Sequence, residues 1–147
     1  MRRAATLATA VCVLALAGCG GTPLSVSQLR TNATRVCQAA SRQGDRIPTP
    51  TSPAGATAFL KSGVPVVRDE LTNLRALTPP SSLSSTYTSS VAAVSDQLRL
   101  LSQAVQRVDA GAEPLGAIRA LQQQLSPSEA RADAGWHSLG IPACATS

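Results

Sequence analysis

The sequence predicts an all-α protein, an antiparallel up-and-down four-helix bundle. Three observations carry this expectation. Apolar residues recur at spacings of 3 and 4 through four stretches between residues 25 and 140, the period of one helix face. The breaks at Thr78 to Ser81 and Gly111 to Glu113 are short, which makes successive helices antiparallel neighbours. No segment alternates apolar and polar residues as a half-buried strand does.

The first helix is expected to start at Ser25. Ser25-Val26-Ser27-Gln28 fits a capping box, with Gln28 reaching back to the cap residue. Val26, Leu29, Ala33, Val36 and Ala40 form its apolar stripe. Arg35 and Arg42 fall nearly opposite that stripe, and Cys37 lies at its edge. Residues 43–56 read as a loop, because Gly44, Pro48, Pro50 and Pro53 favour turns and extended backbone. Thr49 to Pro53 could accept an O-linked sugar, but a solvated linker is the simpler reading.

The second helix is expected from about Pro53 to Leu77, with a stripe of Leu60, Val64, Val67, Leu71, Leu74 and Leu77. Gly63 and Pro65 interrupt it and predict a kink or a break. Thr78-Pro79-Pro80 ends it, since the residue before a proline is driven out of the α region. The third helix is the clearest element. Leu83, Tyr87, Val91, Val94, Leu98, Leu101, Val105 and Val108 make a nearly heptad seam, and Gly111 stops it. The fourth starts near Pro114, a favoured first-turn residue, and runs to Gly140, a natural terminator. Ser126-Pro127-Ser128-Glu129 either kinks this helix or starts a fifth. A continuous, kinked helix is favoured, because its length then matches the third helix.

The first 19 residues carry a different signal. Arg2 and Arg3 precede an apolar run, Ala4 to Ala17, that ends in Leu16-Ala17-Gly18-Cys19. A charged start, an apolar segment and small residues before a cut read as an export signal. The run is shorter than the ~20 residues of a membrane-spanning helix. With its terminal cysteine the pattern resembles a bacterial lipoprotein signal, whose lipobox ends in the lipidated Cys. The resemblance implies a signal peptide over residues 1–18, lipidation of Cys19, a tether at 19–24 and the bundle domain at 25–147. Arg outnumbers Lys 12 to 1 and Ala is abundant. Together with the lipobox and a helical body, this layout resembles the small lipoproteins of actinobacteria. The implied location is the outer face of the cell membrane, held by the lipid on Cys19.

Cysteine use follows from that reading. Cys12 leaves with the signal and Cys19 takes the lipid. Cys37 and Cys144 remain in an oxidising compartment, where a disulfide is expected. The last residues should just reach Cys37 with the fourth helix continuous. Cys37 stands about 18 Å above Ser25, and Gly140 to Cys144 can climb roughly 17 Å if extended.

The chain carries a formal charge of +5, and loss of Arg2 and Arg3 leaves +3. All of that remainder lies in residues 22–50, next to the anchor, where Arg30, Arg35, Arg42 and Arg46 face Asp45 alone. Arg35 and Arg42 are therefore candidates for contact with anionic headgroups. Catalytic patterns are missing from the sequence. One histidine makes no multi-histidine metal site, and there is no nucleophile elbow or phosphate loop. Ser138 and His137 do not face each other, because adjacent helical side chains point about 100° apart, whereas Asp133 and His137, at i and i+4, can pair on one face, read most simply as a surface ion pair near a helix end. Asp69-Glu70 beside Arg68 reads as a solvated face. Phe59, Tyr87 and Trp136 are scattered, which offers nucleic acid no stacking platform, and Trp136 is expected to cap the core. The expected function is a non-enzymatic, membrane-anchored binding or interaction module without cofactor or metal. Its partner would be an envelope protein or an apolar small molecule. The alternative is a carrier of a small apolar ligand or lipid in the bundle core, which a large apolar cavity would favour.

Overall fold

The computed structural model describes residues 22–145. The expected signal peptide and Cys19 lie outside the described residues. The described chain is an all-α four-helix bundle: α1 (Val26–Gly44), α2 (Pro53–Arg75), α3 (Ser81–Asp109), α4 (Pro114–Leu139) and a one-turn 3₁₀ helix at Pro142–Cys144.

Local chemistry accounts for the helix ends. The capping box at α1 is present in both halves: Gln28 N–H donates to Ser25 Oγ, and Ser25 N–H donates to Gln28 Oε1. Ser52 caps α2 through Gly55 N–H, and the Glu113 carboxylate accepts from Leu115 and Gly116 N–H at the start of α4. α4 ends in a Schellman motif. Gly140 N–H donates to His137 O, Ile141 N–H donates to Trp136 O, and Gly140 holds a left-handed φ of 71°.

α2 runs unbroken through Gly63 and Pro65, and α4 runs unbroken through Pro127. Of the kink or break expected in α2, the break does not occur. Both prolines are exposed, so the carbonyl that each leaves unpaired can turn to water.

Packing divides the bundle into two unequal ends. At the end where α1 begins, called the tether end for the tether expected at 19–24, all four helices meet. Leu29 and Ala33 of α1, Leu74 of α2, Tyr87 of α3 and Trp136 of α4 share one buried cluster with Ile141. At the far end Leu60, Ala104, Ala117 and Leu121 form a second cluster from α2, α3 and α4 alone. α1 is too short to reach it: its 19 residues span about 28 Å, against about 43 Å for the 29 of α3. Trp136 sits inside the tether-end core at 1% exposure, edge-on to Tyr87 with ring centroids 5.9 Å apart. It is a centre of the core, not its cap.

The seam between α1 and α4 is filled by the C-terminal tail, which packs on both helices. Leu24 N–H donates to Thr78 O at 2.9 Å, which pins the start of the described chain to the α2–α3 turn.

Candidate functional site

Two features of the surface can carry function: the outer face of α1 and a cleft beside the tail. The α1 face follows from its sequence. The helix holds Arg30, Arg35 and Arg42 and no acidic residue. Arg35 and Arg42 are both exposed, as their position opposite the apolar stripe requires. Arg35 makes only a long contact of 3.5 Å to Asn32 Oδ1. The third arginine has a structural task that the sequence did not disclose. Arg30 Nε donates to Leu139 O at 2.8 Å, placing a guanidinium at the C-terminal end of the α4 dipole.

The Arg30 contact also fixes how the tail reaches α1. α4 ends level with Arg30, more than a turn above Ser25, so the tail need not be extended. It climbs through the 3₁₀ turn, and the Cα atoms of Cys37 and Cys144 lie 5.1 Å apart in a disulfide.

Beside that disulfide, α1, α2 and the tail enclose an open cleft of about 420 Å³. Ala40 and Ser41 form one wall, Val66 and Glu70 a second, Pro142 and Ala143 a third. Glu70 is partly buried and has no hydrogen-bond or ion-pair partner among the described residues. Burial pushes its carboxyl up to about 7. Glu70 is thus not the solvated-face residue that Asp69-Glu70 suggested, whereas Asp69 is exposed. One signal could have shown this. Val66 stands four residues before Glu70 on the same helix face, and an apolar neighbour there marks a flank that something covers.

The remaining candidates lie outside this cleft. His137 and Ser138 are exposed, and the Ser138 hydroxyl donates to Gly135 O at 2.8 Å. Burial, with Asp133 next in effect, raises the Glu129 carboxyl. The Tyr87 hydroxyl is pushed up to about 12 by burial and donates to Leu74 O at 2.7 Å, a structural bond in the core. Among the described residues no group of three or more His, Cys, Asp or Glu could hold a metal ion, and no helix is long and apolar enough to cross a membrane. No protein-family model, curated protein or solved structure matches this chain.

Proposed function

We propose that the protein is a lipid-anchored binding module of the cell envelope that works without catalysis. The observation that carries this reading is the Leu16-Ala17-Gly18-Cys19 sequence followed by a very short tether. Residues 20–24 span under about 20 Å even when extended. The first hydrogen bond of the domain, Leu24 to Thr78, therefore falls close to the anchor. The basic outer face of α1 supports a second contact with the same membrane through Arg35 and Arg42.

The packing supports an interaction surface over an internal carrier. Leu29, Leu74 and Trp136 are each no more than 1% exposed and occupy the centre of the tether end, and the clefts between helices open to solvent.

Two measurements test the reading. Mass spectrometry of the exported protein should find diacylglycerol on Cys19, and Cys19→Ser should abolish it. An unmodified Cys19 on the exported wild type ends the proposal of an anchor. A form released from its lipid should bind anionic vesicles weakly, and Arg35→Ser with Arg42→Ser should weaken it by about 1 kcal/mol per residue at low salt. Binding that is indifferent to both salt and substitution excludes α1 as the membrane-facing side.

A further inference from the structure

We infer that the cleft between α1, α2 and the C-terminal tail is a binding site for a small primary ammonium compound with a short apolar body, and that the Glu70 carboxylate receives the ammonium group. The inference names a ligand class for the binding module proposed above and rests on that reading only for its physiological setting.

Three observations converge on it. The cleft, at about 420 Å³, is of ligand-binding size, which runs from roughly 300 to 1,000 Å³. Its walls come from three separate elements, and the Cys37–Cys144 disulfide holds one of them, the tail, in place. The site is therefore formed before any ligand arrives, and little ordering is left to oppose binding. Among the described residues Glu70 is the only ionisable side chain on the walls, and it has no hydrogen-bond or ion-pair partner among them. A partly buried carboxyl that sits in a cleft without a partner marks a candidate ligand position.

The chemistry of the walls selects the ligand. Ala40, Val66, Pro142 and Ala143 offer apolar contact, and Ser41 offers one hydroxyl. Among the described residues no arginine or lysine lines the cleft, so an anion would find no charged donor and would oppose Glu70. A neutral apolar molecule would bury the carboxyl further and leave it unsatisfied. An ammonium group supplies donors and opposite charge together, and charge-assisted hydrogen bonds are the stronger kind. A comparison within the molecule makes the site distinctive. The α3–α4 cleft also contains a carboxylate, Asp96, but that group is already 3.4 Å from Arg99 Nη2.

The test uses the mature protein purified from membranes in detergent, with benzylammonium as probe and benzyl alcohol as its uncharged counterpart. Methyl NMR follows Ala40, Val66 and Ala143. The expected result is saturable shifts in these methyls, with benzylammonium bound about tenfold or more tightly than the alcohol, the scale of one charge-assisted hydrogen bond. Glu70→Gln keeps the shape, and its unshifted core methyls would show an intact fold. It should reduce the ammonium affinity to that of the alcohol. Equal affinity for the two probes, shifts that map elsewhere, unchanged binding in Glu70→Gln, or no binding at millimolar probe would each overturn the inference. None of these results touches the lipid anchor. The wider binding-module reading would fail separately, if the lipidated protein captured no partner or ligand from its own membranes.

Discussion

At the scale of single residues, Glu70 ties stability to pH. Unfolded, its carboxyl titrates near 4.5; folded, near 7. Between those values the folded chain holds a proton that the unfolded chain has released. The stability that Glu70 contributes is therefore fully present below pH 4.5 and is lost as pH rises to about 7. The full separation corresponds to about 3 kcal/mol, and partial contact with solvent reduces the expected loss to about 1–2 kcal/mol. Glu129 adds a loss of the same sign, so the comparison is between wild type and Glu70→Gln. Denaturant titrations at pH 4.5 and 7.5 should show the variant matching wild type at the lower pH and exceeding it at the higher. A wild type that gains stability over that interval relative to the variant would contradict the placement of Glu70.

At the scale of helices, the α3–α4 contact depends on one close approach. A Cβ built on Gly135 would stand 2.3 Å from Ser90 Oγ but 3.5 Å from Ser90 Cβ, so the hydroxyl is the obstacle and not the backbone. That hydroxyl is held by Thr86 O at 3.0 Å. Gly135→Ala should therefore destabilise the protein in the Ser90 background and be tolerated with Ser90→Ala. A double-mutant cycle read by thermal or chemical unfolding should give a coupling of about 0.5–2 kcal/mol. Additive effects would mean that the helices stand further apart than described. The contrast between these elements and their sequence is instructive. The seam of α3, the box at Ser25 and the stop at Gly140 were legible because each is written within one continuous stretch of the chain. Ser90 and Gly135 were not, since neither carries a periodic signal and their meeting depends on the register of two antiparallel helices. Glu70 was hidden for a related reason: the wall that covers it comes from Pro142 and Ala143, which are remote in the chain. Between the kink and the break left open at Gly63 and Pro65, the sequence could not choose, because whether the face of Pro65 is exposed depends on packing.

At the scale of the whole molecule, the covalent link joins the two ends of the fold. Cys37 and Cys144 are 107 residues apart. On the chain-entropy model a loop of about that size is worth about 4.7 kcal/mol, with measured values commonly between 2 and 5. Replacing both cysteines by serine should lower the unfolding free energy by about 2–5 kcal/mol. Hydrogen exchange should localise the early loss to the tail and to α1, which is absent from the far-end cluster, while α2, α3 and α4 stay protected around Leu60, Ala104 and Leu121. Uniform loss of protection would instead show that the three longer helices cannot hold without α1.

Under the lipid anchor proposed above, which would hold the molecule by its N-terminal side, the same link has a mechanical meaning. A pull on the tether peels α1 from Ser25 and meets the disulfide after 12 residues. Straightening residues 25–36 yields about 20–25 Å of slack and no more. If the opposing force acts at the C-terminal end, it enters at Cys144 and passes directly across the sulfur atoms. The chain between the two cysteines then lies outside the line of tension, with the far-end cluster and all of the tether-end cluster except Leu29 and Ala33, so that part of the bundle can be tugged at both ends and stay folded.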